Sequence, residues 1–214
     1  VNPNTLRILF TNVRSYIYYF GIKTDSQDVK QLLSFPRIQK EEKYPLNHKE
    51  LEKIINDQVR NMVRKALYLA CSSSGMRMGE AVQIRKSDLE FKERIQINIR
   101  PEYTKTQTGR SVFISKECQQ ILESYLDDLN NDDTIFYKGK CNNFQNKVSS
   151  EGARLSECVV RLGLGMKYTS SGMHKITSHN FRAFFFTQAV RKHGENYAHR
   201  LTGHGGYLMQ YDRM

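Results

Sequence analysis

The chain has 214 residues, with 33 Lys and Arg against 22 Asp and Glu and a net charge of +11 at pH 7. Hydrophobic residues make up 39% and charged residues 26%, with 13 Gly and 4 Pro, which excludes a disordered or collagen-like chain. No apolar run is long enough to span a membrane, and a charge excess of this size points to a polyanion as partner, nucleic acid before any other.

The N-terminus carries no basic-then-apolar leader, and it lacks an initiator Met, as a fragment of a longer chain would. Asn4 or Thr5 can cap a first helix whose apolar stripe is Leu6, Phe10, Val13, Ile17 and Phe20, ending at Gly21. Arg7 and Arg14 lie off that stripe. Residues 22–46 break the composition, with Pro36, Pro45 and a charge run over 39–43, and read as containing an interdomain linker around 35–45.

The strongest helix signal follows. Asn47 is its cap, Glu50 completes a capping box, and Leu46 can staple onto Leu51. Apolar residues at helical spacing from Leu51 to Ala70 predict one continuous helix, stopped by Ser72-Ser73-Ser74-Gly75. A short helix is expected from Met78 to Ile84. Ile95, Ile97 and Ile99 alternate as in a half-buried strand. With Ser111-Val112-Phe113-Ile114 they predict an antiparallel hairpin whose tip carries Lys105 and Arg110.

Ser115 should cap a helix through Leu126, and Ile135-Phe136-Tyr137 reads as a short third strand. A helix with Phe144, Val148, Leu155 and Val159 comes next. Another begins at Thr177 or Ser178 and ends at Gly194, before two short helices around Gly203 to Gly206. The fold class is α+β, mainly α-helical, with a small three-stranded antiparallel sheet. Cys71, Cys118, Cys141 and Cys158 form no C-x-x-C pair, so they read as ordinary thiols, most of them buried, and no metal site is expected.

Several polar residues stand at element junctions. Arg77 follows the Ser/Gly stop with Glu80 one turn on, and His179 and Arg182 share a helix face at i, i+3. Lys105 sits at the hairpin tip, His204 lies in a Gly-flanked turn, and Tyr207 and Tyr211 follow. Singly, each has an ordinary reading: a helix ion pair, a solvated Lys, a turn. Together, the arginines, histidines, lysine and tyrosine are the parts a metal-free phosphoryl transfer needs. Arginine forks grip phosphate oxygens, a tyrosine oxygen attacks phosphorus, and a lysine or histidine protonates the leaving oxygen.

The order of these residues resembles the tyrosine recombinase (phage integrase) family. Ser74-Gly75-Met76-Arg77-Met78-Gly79-Glu80 is similar to its first-arginine box, and Lys105 in Lys-Thr-Gln-Thr-Gly-Arg to its hairpin lysine. His179-Asn180-Phe181-Arg182 is similar to its H-x-x-R box, Leu201-Thr202-Gly203-His204 to its L-G-H box, and Tyr211 falls where the nucleophile belongs. The resemblance covers residues 45–214. Residues 4–21 resemble the last helix of the core-binding domain, so the expected domains are 1–40, that helix and its linker, and 41–214, the catalytic domain. The phrasing over 43–46 and 206–213 looks more like archaeal integrases, from a virus or plasmid, than bacterial ones.

The resemblance implies a site-specific DNA recombinase without cofactor or metal. Tyr211 would form a 3′-phosphotyrosyl link while Arg77 and Arg182 clamp the nonbridging oxygens. His179 and His204 would hydrogen-bond the phosphate, with His179 placed to take the tyrosine proton. Lys105 would protonate the departing 5′-oxygen, and Glu80 would support the Arg77 helix. Arg7, Arg14, Lys105 and Arg110 would contact double-stranded DNA. A tetramer on paired sites and a cytoplasmic, nucleoid-associated location are further implications.

There are departures. Tyr211 comes seven positions after His204, a shorter span than is common, which leaves Tyr207 as a rival nucleophile. Ala183 follows the H-x-x-R box where the family often has a second His, and Ser74 and Met76 stand for Thr and Leu. Met214 comes three residues after Tyr211, where members often continue into a segment that docks on a neighbouring subunit. The rival readings are a type IB topoisomerase-like nicking-rejoining enzyme, a cleavage-inactive DNA-binding protein of this fold, and a basic helical interaction protein with no DNA role.

Overall fold

The structure is a computed structural model that describes residues 3–36, 41–139, 141 and 143–203. It divides into two compact units, Val1–Lys43 with Lys167–Met173, and Tyr44–Met166 with His174–Met214.

The first unit holds helices α1 (Pro3–Tyr19) and α2 (Ser26–Leu32). Neither buries a residue, and Leu9, Val13, Tyr19 and Phe20 remain exposed. The stretch of broken composition therefore contains a helix, which ends ahead of the linker expected around 35–45. Asp25 caps it, its carboxylate accepting from the Gln27 backbone N–H at 2.6 Å. Glu41 belongs to the same unit and accepts from the Ser170 and Thr169 backbone N–H groups at 2.5 and 3.3 Å.

The second unit contains the core. Helix α3 (His48–Asn56) opens with the expected capping box: Asn47 accepts from Glu50 N–H at 2.9 Å and Glu50 from Asn47 N–H at 3.1 Å. Tyr44 joins this corner twice. Its hydroxyl donates to Glu50 at 2.5 Å, and its carbonyl accepts from the Asn180 amide at 2.9 Å.

The single long helix expected from 47 to 70 is instead two, α3 and α4 (Met62–Ser74). Asn56, Asp57 and Asn61 favour caps over helix interiors. Asn61 caps α4 by accepting from Arg64 N–H at 2.9 Å. Gln58 turns into the core, where its amide donates to Asp57 at 3.0 Å and to the Cys158 sulfur at 3.4 Å.

Short helix α5 (Met78–Ala81) precedes a three-stranded antiparallel sheet, β1 (Leu89–Glu90), β2 (Gln96–Ile99) and β3 (Arg110–Phe113), in that order. Ile97 faces both Leu89 and Val112, so the buried face is the alternating one expected. The third strand is Leu89–Glu90 and not Ile135–Tyr137. The latter segment makes one isolated bridge, Arg85 to Thr134, and then closes on itself. The Tyr125 hydroxyl occupies the Ile135 carbonyl at 2.9 Å, and Thr134 the Tyr137 carbonyl at 2.8 Å.

Helices α6 (Lys116–Leu126), α7 (Phe144–Arg161), α8 (Ser178–His193) and α9 (Glu195–Thr202) complete the unit. Ser115 caps α6 as expected. Helix α4 is the hub of the core, packing against α6 and α8, with Tyr68 against Phe181 at 5.2 Å between ring centroids. Cys71, Cys118 and Cys158 are buried free thiols, and Cys141 is half-buried. The helix expected after Gly203 lies outside the described residues.

Candidate active site

The site is built around the end of α4. Three serines close that helix by bonding back to its own carbonyls, Ser73 to Leu69 at 2.7 Å and Ser74 to Ala70 at 2.6 Å, with Ser72 to Leu69 at 3.2 Å. Gly75 then takes a left-handed φ of +70° and donates to the Cys71 carbonyl. This turn leaves Arg77 extended at the N-terminus of α5 (φ −73°, ψ 146°).

A Cβ on Gly75 would lie 2.5 Å from Phe185 and 2.9 Å from Thr202. Gly75→Ala is therefore expected to destabilise the protein by about 2–4 kcal/mol, combining left-handed backbone strain with overpacking. Urea unfolding at constant m measures it. A loss under about 1 kcal/mol would mean that Phe185 simply moves aside.

Glu80 lies beneath Arg77 and is 2% exposed. Its carboxylate accepts from the Arg77 backbone N–H at 2.8 Å and from Arg77 Nη1 at 2.9 Å. It also accepts from Arg110 Nη2 at 2.6 Å and Nη1 at 3.2 Å. Burial alone would raise its pKa, but the hydrogen bonds and charge of Arg110, then the bonds from Arg77, outweigh burial and hold it below the usual glutamate value.

Arg110 was expected at a DNA-facing tip. It stands instead on the inward face of β3 with Val112, and its side chain is 10% exposed. Besides the Glu80 bonds, its Nε donates to the Leu201 carbonyl at 3.0 Å. Gly203, which ends α9 with φ +64°, packs against the same guanidinium: a Cβ there would sit 3.0 Å from Arg110 Nη1.

Arg182 projects inward from the second turn of α8 and is 5% exposed. Its Nη1 donates to the Gly75 carbonyl at 2.6 Å and its Nη2 to the Thr202 carbonyl. Burial first, then repulsion from Arg77 and Arg110 against a smaller pull from Glu80, lowers its pKa to about 10, so it is still a cation at neutral pH. The H-x-x-R box owes part of its geometry to Asn180. That side chain accepts from Thr177 N–H at 2.8 Å and donates to Tyr44, fixing the start of α8.

The structure thus brings Arg77, Glu80, Arg110 and Arg182 into one cluster: three guanidiniums around one carboxylate, with net positive charge. Two other expected residues stand at exposed positions in the same unit, His179 in the first turn of α8 and Lys105 in the turn between β2 and β3. The Lys105 turn is stitched by buried Thr104, whose hydroxyl donates to Pro101 at 2.9 Å and accepts from Thr108 N–H at 3.0 Å.

His204, Tyr207 and Tyr211 lie outside the described residues. In the first unit, Arg14 donates to the Thr24 carbonyl at 3.1 Å and sits over the Tyr18 ring, while Arg7 sits over Phe35 at 5.8 Å. Among the described residues no group of three or more His, Cys, Asp or Glu is gathered as a metal site would need, and no helix is long and apolar enough to cross a membrane.

Such a cluster can bind an anion and stabilise charge that develops on a phosphorane, because its donors are fixed before substrate arrives. The sequence missed Arg110's place in it. The signal was present in the alternation of Arg110, Val112 and Ile114, which puts the arginine on the core side of its strand.

Residues 45–205 match the phage integrase family. Among solved structures, the chain resembles the Tn1549 transposon integrase in complex with transposon right end DNA. The TM-score is 0.67 at 15% identity, over 98% of this chain and 74% of that one. It also resembles XerA recombinase (TM-score 0.62, 21% identity, 82% of this chain and 60% of that one). A third is XerH recombinase bound to its difH substrate (TM-score 0.60, 19% identity, 94% of this chain and 57% of that one). The chain therefore spans about three-fifths of the XerA and XerH chains. No curated protein sequence matches it.

Proposed function

The chain belongs to the phage integrase family, and from that premise we propose that it is a site-specific DNA recombinase that cleaves and rejoins strands through a 3′-phosphotyrosyl intermediate. The observation that carries this reading is the preorganised cluster of Arg77, Arg182 and Arg110 around Glu80. It is a rigid, positively charged seat for one phosphodiester.

In this mechanism Arg77 and Arg182 hold the nonbridging oxygens, and His179 and His204 hydrogen-bond the phosphate. Tyr211 attacks phosphorus and gives its proton to His179. The P–O5′ bond breaks, and Lys105 protonates the leaving 5′-oxygen. The phosphotyrosyl bond conserves the phosphodiester energy. The 5′-hydroxyl of a partner strand can then attack it and release the tyrosine. The +11 net charge supplies the salt-sensitive, sequence-independent part of affinity for double-stranded DNA.

Finer parts of the reading rest on the resemblance of individual segments. Residues 1–40 are read as the end of a core-binding domain and its linker, with Arg7 and Arg14 on DNA, and 41–214 as the catalytic domain. The protein works as a tetramer on paired sites at the nucleoid, and it is an archaeal-type integrase of a virus or plasmid.

The test uses nicked, labelled DNA drawn from a random-sequence pool. Cleavage beside the nick lets the short 5′-hydroxyl strand diffuse away, so a covalent adduct accumulates and survives denaturation. A labelled protein band supports the reading, and sequencing the trapped DNA gives the site. DNA binding without any band would instead favour a cleavage-inactive binder. Relaxation of supercoiled plasmid lacking paired sites would favour the topoisomerase-like enzyme.

A further inference from the structure

We infer that Arg110 is a positioning residue for strand cleavage. Its guanidinium locks Glu80 beneath Arg77 and at the same time holds the Leu201 carbonyl at the end of α9. The inference rests on the recombinase reading.

The geometry is that of a three-way tie. Both Nη atoms reach Glu80, at 3.2 and 2.6 Å, and Nε reaches Leu201, at 3.0 Å. Glu80 passes the constraint to Arg77 through both its backbone N–H and its guanidinium. Leu201 precedes the Thr202 carbonyl, which accepts from Arg182. One side chain on the hairpin strand therefore sets the first-arginine box, the partner carbonyl of the second arginine and the helix end that runs into His204. Gly203 leaves room for it, since a Cβ at that position would press on Arg110 at 3.0 Å.

Lysine cannot replace it, because a single ammonium has no planar fork to span a carboxylate and a carbonyl on another helix. Arg110 and Glu80 are shielded from water, 10% and 2% exposed on their side chains, whereas Arg77 is 31% exposed. Removing Arg110 would leave a buried carboxylate with only Arg77 as direct partner, and the uncompensated charge would draw the Arg77 guanidinium out of the position it takes when Arg110 shares Glu80.

The charged and titratable groups facing Glu80 are Arg77 on α5, Arg110 on β3, Arg182 on α8 and Cys71 on α4. Without Arg110 the balance tilts toward burial, and the Glu80 carboxyl titrates at higher pH. Its support of Arg77 is then lost at a higher pH than in the wild-type chain as pH falls.

The experiment compares the 214-residue chain with Arg110→Gln, Arg110→Lys and Arg110→Gln/Glu80→Gln. Single-turnover cleavage on the nicked DNA is measured from pH 8 to pH 5.5, alongside DNA affinity against salt. Arg110→Gln should cut at least tenfold more slowly at pH 8, with affinity and salt slope within twofold of wild type. Its rate should fall more steeply than wild type toward pH 5.5. The double variant should recover at least threefold over Arg110→Gln and regain a profile parallel to wild type.

If Arg110→Gln fails to fold, Arg110→Lys decides, with a fivefold or larger loss expected at unchanged affinity. A wild-type rate and profile in the single variants overturns the inference. So does a drop in affinity with a smaller salt slope, which would make Arg110 a direct DNA contact. Absence of any adduct from wild type would sink the recombinase reading itself, a separate outcome.

Discussion

Tyr211→Phe is expected to abolish the covalent DNA adduct altogether, at any enzyme concentration or incubation time. The change deletes one oxygen atom and leaves the ring. If that oxygen is the nucleophile, no slower route to a phosphotyrosyl bond remains, so the loss is absolute and not a rate reduction. DNA affinity should stay within about twofold, since affinity comes mostly from phosphate neutralisation by Lys and Arg. Tyr207→Phe should leave the adduct intact. The measurement is the denaturing gel, with the modified peptide then located by mass spectrometry. An adduct that persists in Tyr211→Phe and vanishes in Tyr207→Phe would move the nucleophile by four residues and keep the family.

The second large effect is at Arg182. This side chain has two roles that compete for its five N–H groups: it fastens the Gly75 and Thr202 carbonyls, and in the proposed mechanism it grips a phosphate. Arg182→Lys keeps the charge but not the fork. At least one buried carbonyl then loses its donor, at a cost of about 1–3 kcal/mol. Loss of a preorganised donor to the developing phosphorane charge should slow cleavage by about 10²–10³-fold. Unfolding in urea and single-turnover cleavage separate the two. A variant that is destabilised yet cleaves within tenfold of wild type would show that Arg182 is only a structural fastener.

Much of this fold was legible because caps are local. Asn47 with Glu50, Ser115, Thr177 and Gly194 each mark a helix end through residues within a turn of it. The alternation of Ile95, Ile97 and Ile99 identified the sheet for the same reason. What failed needed tertiary information. Val59 and Met62 carry the apolar period across the break between α3 and α4, yet they are 67% and 44% exposed. Periodicity cannot tell an apolar residue that packs from one that does not. The two-residue strand Leu89–Glu90 is too short to show any alternation, and its pairing with β2 exists only once the chain has folded.

The candidate site shows the same division. Its residue types and their order could be read in sequence, because the chemistry fixes them. The burial of Arg182 could not, because charge in a sequence reads as exposure, and for Arg110 that same reading masked the strand alternation that pointed it inward. Only the Glu80 carboxylate and the Gly75, Leu201 and Thr202 carbonyls, all distant in the chain from at least one of these arginines, explain how a guanidinium can leave water.

Tyr44 sets a limit on how far the protein can be trimmed. It is the first residue of the larger compact unit, and it fastens both the start of α3, through Glu50, and the start of α8, through Asn180. A shortened version beginning at Tyr44 keeps both fastenings, whereas one beginning at Leu46, where the apolar pattern starts, would loosen the helix that carries His179 and Arg182. The edge of the larger unit is thus fastened by a tyrosine outside every catalytic box.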